Sequence, residues 1–467
     1  MKESDLVVVG GGIGGYVCAI RASQLGKKVI LVEKARLGGE CLIAGCIPSK
    51  AIISVAKAFD KVHDGARFGI HADGLRVDFS EMQSWKSGVV SSLEAGVASL
   101  CQGYKVQVLK GEAELVEKNR VIVTTPDGSK EELSAKNVVI ATGSSTIQLP
   151  GLEFDGRQIV GSREALDLKA LPKRLLVVGG GYIGMEIASM YQRLGSQISI
   201  VELTEQLLPG TEPDLVRFAQ RSLERRGAKI RLGAKVTSIS KDADGVKATV
   251  ESGQGTEVVQ ADLLLVSVGR RPVTQGLNLQ RLGIETDPKG FIKTDNRMMT
   301  TVDGVFAIGD VRGPPLLAHK AQKEGIVAAE AIAGLPTVAE WKSIPWAIFT
   351  DPEISGVGLT EKQAVEAGYK AKRSRISFAA LGRALAAGET DGFVRIVSEE
   401  GTGVVLGVQI VGPEASDLIS EAALAIEMGA TVEDLALTIH PHPTLPEAIM
   451  EAAESASGKP IHQLKSI

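Results

Sequence analysis

One pattern occurs twice in this chain, and it constrains the fold more than any other feature. Leu6–Val9 runs into Gly10-Gly11-Gly12-Ile13-Gly14-Gly15, then an amphipathic stretch, then Lys28-Val29-Ile30-Leu31-Val32-Glu33. Leu175–Val178 runs into Gly179-Gly180-Gly181-Tyr182-Ile183-Gly184, then Met185–Leu194, then Gln197-Ile198-Ser199-Ile200-Val201-Glu202. Each reads as strand, glycine turn, helix, strand, and in each the closing Glu lies 23 positions after the first Gly. A lone glycine fingerprint is weak. Two with equal spacing predict two dinucleotide-binding units, in which Gly10 and Gly179 make the tight turn, Gly12 and Gly181 let the backbone approach a pyrophosphate, and Gly15 and Gly184 allow close helix–strand packing. The rival view, that these glycines serve packing alone, requires the same spacing to arise twice.

The rest of the chain is organised around these units. Val106–Val123 and Val138–Ile140 read as strands, the latter ending in Ala141-Thr142-Gly143-Ser144. Arg231–Val250 and Leu263–Val268 supply strands to the second unit, up to Gly269-Arg270-Arg271-Pro272, and Thr301–Asp310 reads as a turn and strand ending on a carboxylate. After Pro345 the pattern changes to strands at Gly392–Val397 and Val404–Val411 and helices at Pro413–Met428 and Thr431–Leu437, a separate α+β domain. The expected fold class is α/β, two Rossmann-like dinucleotide-binding domains plus a C-terminal α+β domain. The expected boundaries are 1–148, 149–270, a central segment 271–344 that returns to the first domain, and 345–467.

Composition narrows the function classes. With 467 residues, 44% hydrophobic and 23% charged, the chain is globular, and its 53 glycines exceed the usual share of roughly 7%. A net charge of −4 with no basic stretch sets the expectation of no nucleic-acid partner. The longest uncharged apolar run, Leu6–Ile20, has 15 residues and five glycines, too short for a membrane span of about 20. Glu3 and Asp5 stand where a signal peptide needs basic residues, and with four cysteines the chain reads as cytoplasmic, without membrane association.

Two segments carry the chemistry. In Gly38-Gly39-Glu40-Cys41-Leu42-Ile43-Ala44-Gly45-Cys46-Ile47-Pro48-Ser49-Lys50 the cysteines are spaced Cys-x4-Cys, which is neither a usual zinc spacing nor a Cys-x2-Cys redox pair. Cys18 and Cys101 are isolated, so no metal site is expected. On an ideal helix residues five apart have Cα atoms about 8–9 Å apart, beyond the roughly 7 Å limit for a disulfide. A bond between them therefore requires a distorted segment, for which Gly45 and Pro48 are suited; two free thiols are the alternative. In His440-Pro441-His442-Pro443-Thr444-Leu445-Pro446-Glu447, two readings of Glu447 compete: it caps a helix start by reaching back to the Thr444 amide, or it orients a histidine. The second is preferred, on the view that one carboxylate cannot fully serve both. His440 reads as structural.

Taken together, these residues resemble the flavin-dependent pyridine nucleotide–disulfide oxidoreductases from Gly10 to Glu447, and among them those that oxidise dihydrolipoyl groups and reduce NAD. The resemblance implies a Cys41–Cys46 redox-active disulfide, with Cys41 as the interchange thiol and Cys46 facing the flavin. It also implies Lys50 near the flavin ring and paired with Glu186, and His442 as acid–base catalyst oriented by Glu447. It places FAD against Gly10, Gly12, Gly15, Glu33, Lys50, Gly111, Thr142, Gly143, Ser144, Asp310 and Leu317-Ala318-His319. NAD is placed against Gly179, Gly181, Gly184, Glu202, Val236 and Gly269. Glu202, followed by Leu203-Thr204-Glu205-Gln206 with no Arg, favours NAD over NADP. The family also implies a homodimer in which His442 of one copy serves the cysteines of the other, and lipoyl domains of a 2-oxoacid dehydrogenase or glycine-cleavage complex as partners. A glutathione-type reductase would prefer NADP, and a mercury-type reductase usually carries a C-terminal cysteine pair, whereas no cysteine follows Cys101. A flavin-binding assembly subunit would leave Cys41, Cys46, His442 and Glu447 without purpose. The chain departs from the commonest family pattern at Glu40, where Thr is usual, at Ile43-Ala44, where Asn-Val is usual, and at Pro446, where Ser is usual.

Overall fold

Four apolar residues in a row, Leu6 to Val9, all buried, form the inner end of strand β1 (Lys2–Val9). In the computed structural model, which describes residues 1–464, β1 is followed by helix α1 (Ile13–Gln24) and strand β2 (Val29–Glu33). Strand buried on both faces, glycine turn and helix thus follow one another as the apolar run requires. Helices α2 (Gly39–Ala44) and α3 (Cys46–His63) come next. Contacts divide the chain into two compact units, Met1–Pro172 with Leu263–Glu340, and Lys173–Asp262 with the chain from Trp341 onward.

In the first unit the sheet runs in the order Gln107–Lys110, β2, β1, Lys130–Ile140, Arg120–Thr124, Glu112–Glu117, with Val305–Ala307 also paired to Lys130–Ile140. β1, β2, Lys130–Ile140 and Val305–Ala307 are parallel, and their registers align Val9 with Val32 and with Ile140, and Ile140 with Ala307. The loops after these residues therefore issue from one edge, the carboxyl ends of parallel strands, where open α/β sheets bind ligands. The Val106–Val123 stretch holds three strands, the last running on to Thr124. It breaks at Gly111, where a Cβ would lie 2.7 Å from Thr124 O, and turns again after Glu117. Lys130–Asn137, paired with β1 on one side and with Arg120–Thr124 on the other, carries charged residues between its apolar ones, so the apolar run that marks Val138–Ile140 does not extend over it. α1 packs on the helix Ala318–Ile332 so closely that a Cβ at Gly325 would lie 2.5 Å from Gly14 O.

In the second unit Lys229–Arg231, Gln197–Val201 and Arg174–Val178 form a parallel set, and Lys235–Asp242, Gly245–Ser252 and Gly255–Ala261 an antiparallel meander. The C-terminal sheet is antiparallel, in the order Trp346–Ile348, Glu353–Gly358, Val405–Gly412, Phe393–Glu399, Ala371–Ser377. Phe378, Val394, Ile396, Val408 and Ile410 share a core with Ala448, Ile449 and Ala452 of the helix Glu447–Ala456. That core holds the N-terminus of the helix bearing Glu447.

Residues Gly39–His63 are the one helical span among the described residues long and apolar enough to cross a membrane by length and composition. The span is interrupted at Gly45, and Leu42, Pro48, Ile52, Ile53 and Ala56 are buried in the protein.

Candidate active site

The glycines of the first loop differ in the room around them. Gly10 has φ +105°, and a Cβ there would lie 2.4 Å from Ala141 O; a Cβ on Gly15 would lie 1.9 Å from Gly10 O. Over Gly12 the space is open, the nearest atom to a Cβ being Gly39 Cα at 3.8 Å. Gly12 is also the N-cap of α1 and has no side chain to cap it, so amides of the first helical turn are left for an anion. The room over Gly12 and these bare amides fit a dinucleotide pyrophosphate. The Glu33 carboxylate accepts from Gly11 N at 2.6 Å and from Ala35 N at 2.7 Å, bracing the loop.

The second loop repeats this. Gly179 has φ +102°, nothing lies within 4 Å of a Cβ on Gly181, and the helix Tyr182–Arg193 starts from Gly181 without a side-chain cap. Glu202, buried, accepts from Gly180 N at 2.6 Å and from Thr204 N at 2.8 Å, and its Oε1 also accepts from Thr204 Oγ1 at 2.8 Å. Gly184 is buried in the same helix, and Val236 lies on the meander strand opposite Val250.

Around the first loop, the strand-end residues are tied together. Gly111 N donates to Glu33 O at 3.0 Å. Thr142 Oγ1 donates to Val273 O at 2.6 Å, and Gly143 has φ +71°. Ser144 Oγ donates to Asp310 Oδ2 at 2.5 Å and accepts from Arg270 Nε at 2.7 Å. Gly269, with φ +127°, accepts from Ile147 N at 3.0 Å. Leu317 is the N-cap of the helix that carries Ala318 and His319.

Cys41 and Cys46 are bonded, with Cα atoms 4.7 Å apart. The distortion required by the spacing is located at Gly45 alone (φ −138°, ψ −106°), which separates α2 from α3. A Cβ there would lie 2.9 Å from Glu40 O. Pro48 does not contribute to it: it sits in the first turn of α3, where a missing N–H breaks no helical hydrogen bond. The pair lies beside the first loop, since Gly38 N donates to Gly11 O at 2.9 Å. Lys50 follows on α3. Cys18 and Cys101 are free and buried, and burial pushes the Cys18 thiol up to about 12, so it carries no thiolate at neutral pH.

In the second unit, His442 Nδ1 lies 2.8 Å from Glu447 Oε1, while Glu447 Oε2 accepts from Thr444 N at 2.7 Å. The expectation that one carboxylate must choose is corrected: its two oxygens face different donors and it does both. Burial pushes the Glu447 carboxyl up, but the Thr444 amide and His442 outweigh it and hold the group below its ordinary value. The His442 side chain is 78% exposed, and its Nε2 has no partner among the described residues. His440 is structural as expected, with Nδ1 2.8 Å from Thr438 O and Nε2 2.9 Å from Glu421. Glu186, buried on the helix Tyr182–Arg193, accepts from Phe349 N at 3.0 Å.

Several residues here gave no signal in the sequence. Glu324, fully buried, accepts from Gly309 N at 2.7 Å and Arg312 Nη1 at 2.5 Å and lies 3.2 Å from Lys320 Nζ, fixing the turn that carries Asp310. Burial lowers the Lys320 ammonium despite that neighbour. Arg163 and Arg270 face Glu40. None belongs to a periodic pattern; the Gly-Arg-Arg-Pro run was the one visible pointer to Arg270. Among the described residues no group of three or more His, Cys, Asp or Glu is placed to hold a metal ion.

Comparison with known proteins agrees with this geometry. Residues 4–325 match the model of the pyridine nucleotide-disulphide oxidoreductases, and residues 344–453 match that family's dimerisation domain. The chain is 47% identical over 465 residues to a dihydrolipoyl dehydrogenase of Haloferax volcanii, covering 99% of this chain and 98% of that one. It is 46% identical over 460 residues to a dihydrolipoyl dehydrogenase of Geobacillus stearothermophilus, covering 98% and 97%. Among solved structures, LpdA from Mycobacterium tuberculosis superposes with a TM-score of 0.91 at 28% identity, over 98% of this chain and all of that one.

Proposed function

The chain belongs to the pyridine nucleotide-disulphide oxidoreductase family, and from that premise we propose that it oxidises dihydrolipoyl groups to lipoyl groups and reduces NAD to NADH. The observation that carries this is the Cys41–Cys46 disulfide lying against a glycine loop fit for a dinucleotide.

The roles of the residues follow from their settings. Glu447 on Nδ1 makes that nitrogen the protonated one, so Nε2 of His442 presents a lone pair. A free thiol near pKa 8.5 is only a few per cent thiolate at pH 7. His442 takes the proton of the first substrate thiol, a task worth typically 10²–10⁴ in rate. The resulting thiolate attacks Cys41, forming a mixed disulfide while Cys46 leaves as thiolate. The second substrate thiol then closes the lipoyl ring and displaces Cys41; its own proton ends on the Cys41 sulfur, while the first proton stays on His442 until it is released to solvent. Bound beside the disulfide, FAD would supply the conversion of a thiol electron pair into the hydride that NAD accepts.

Gly10, Gly12, Gly15, Glu33, Lys50, Gly111, Thr142, Gly143, Ser144, Asp310 and the Leu317–His319 stretch hold FAD. Gly179, Gly181, Gly184, Glu202, Val236 and Gly269 hold NAD, and Lys50 with Glu186 supports the flavin site. The segments 1–148, 149–270, 271–344 and 345–467 serve as FAD, NAD, central and interface parts. The dimerisation-domain match supports a homodimer in which His442 of one copy serves the disulfide of the other. Lipoyl domains of a 2-oxoacid dehydrogenase or glycine-cleavage complex are the partners, in the cytoplasm, with neither nucleic acid nor membrane involved. A screen of the purified protein decides the matter: dihydrolipoamide with NAD should turn over, and oxidised glutathione with NADPH should not. The reverse result ends this reading.

A further inference from the structure

The residue immediately before the redox cysteine is a carboxylate, and the first unit answers it with charge. Glu40 Oε2 accepts from Arg163 Nη2 at 2.5 Å, and Glu40 Oε1 lies 4.0 Å from Arg270 Nη2. Arg270 is already committed. Its side chain is 9% exposed, and it donates to Ser144 Oγ at 2.7 Å and Ser144 O at 2.8 Å, while Ser144 Oγ donates to Asp310. Arg163, on the short helix Ser162–Ala165, is the cation with a direct hydrogen bond to Glu40. Two arginines and two carboxylates, Glu40 and Asp310, make this cluster neutral.

We propose that Glu40 and Arg163 form a charge-compensating pair that sets the proton affinity of the Cys41 and Cys46 thiols after the disulfide is reduced. The inference rests on the reading above that this disulfide turns over. When a dithiol reduces it, one S–S bond forms in the reagent, the Cys41–Cys46 bond breaks, two electrons move to the protein sulfurs, and their protons are shared between sulfur and solvent. A carboxylate beside a nascent thiolate opposes its formation by like charge, and a guanidinium on that carboxylate cancels the opposition. Glu40 holds Arg163 beside the residue that precedes Cys41, and Arg163 neutralises Glu40, so removing either alone leaves one uncompensated charge.

The two charges predict opposite signs. The holoenzyme is reduced anaerobically with excess dihydrolipoamide, and alkylation of Cys41 and Cys46 by iodoacetamide is followed by mass against pH. Arg163→Gln should raise the apparent thiol pKa by about half to one unit, roughly three- to tenfold less alkylation at a fixed pH below it. Glu40→Gln should move it down by a similar amount, and Glu40→Gln with Arg163→Gln should return within about twofold of wild type. Arg163→Lys, which keeps the charge, should stay near wild type. The Arg163 and Glu40 side chains are 54% and 34% exposed, so about 1 M salt should shrink every difference. Structural damage cannot give opposite signs. Both single variants shifting the same way, Arg163→Gln within twofold of wild type, or Arg163→Lys shifting as far as Arg163→Gln would each overturn the proposal. Two-electron reduction of the wild-type disulfide by dihydrolipoamide is measured in the same experiment, and its failure would sink the functional reading instead.

Discussion

The two glycine loops are near copies in backbone and differ in what surrounds them. In each, a Glu at the end of the next strand accepts the amide of the loop's second glycine at 2.6 Å and a second amide two residues beyond itself. At Glu33 the residue supplying that second amide is Ala35; at Glu202 it is Thr204, whose hydroxyl fills a further acceptor site on Oε1. Glu33 is part-exposed and Glu202 is buried. After β2 the chain runs directly into the Cys41–Cys46 pair, whereas no cysteine follows Glu202. One fingerprint thus builds two sites, and the chemistry is decided by what the chain appends to each loop.

The largest expected break in that comparison is the disulfide itself. Cys41→Ser or Cys46→Ser should abolish dihydrolipoamide oxidation while absorbance shows FAD still bound, because the loop does not depend on the sulfurs. More than half the activity retained in either variant would contradict the assignment. His442→Gln should lose about 10²–10⁴ in turnover. Co-expressed with Cys41→Ser, it should recover about a quarter of wild-type activity, since half of randomly paired dimers are mixed and half their sites are whole. Dead mixtures with confirmed heterodimers would reject a site shared between copies.

The glycines separate packing from ligand contact. Gly15→Ala puts a Cβ where Gly10 O lies 1.9 Å away, so the purified variant should come out pale, with FAD content and melting temperature both reduced. Gly181→Ala meets open space; its melting temperature should stay close to wild type while the KM for NAD rises several-fold. Equal damage to stability by both would erase the distinction. Next in size is cofactor choice: NAD should exceed NADP by at least about tenfold in kcat/KM, about 1.4 kcal/mol, and Glu202→Ala should erode the ratio. An unchanged ratio means that the buried carboxylate braces the loop and does not repel a 2′-phosphate.

The smallest effect is on acid stability. The Glu447 carboxyl is held below its ordinary 4.5, so its contribution is complete above that value and is lost as pH falls through the lower folded one. Denaturation curves taken below about pH 4.5 should therefore be shallower in Glu447→Gln than in wild type. An identical acid limb would show that the carboxylate is not coupled to folding.

Local chemistry made much of this legible. Strand, turn and helix at both loops follow from apolar runs and glycines at fixed offsets, and the family resemblance carried by the short segments around Cys41, Cys46, His442 and Glu447 pointed to the Cys41–Cys46 bond and to the His442–Glu447 contact. A departure from helix was implied on condition that the two cysteines bond, since five residues of regular helix hold their Cα atoms too far apart; that they bond, and that the departure falls at Gly45 and not at Pro48, came from the structure. That Glu447 faces two donors was not, because spacing ranks alternative partners but does not say that two oxygens can point different ways. Nor was the tie from Arg270 to Ser144 to Asp310, whose members come from separate crossings of the sheet edge. The same holds for Glu324 under the Gly309 turn and for Arg163 on Glu40, 123 residues apart in sequence. Backbone conformation is set largely by neighbours within a turn or a strand, and so the sequence by itself determined the loops and the chemistry they offer. Which distant charges meet depends on how strands align and helices pack, and only the tertiary structure decided that.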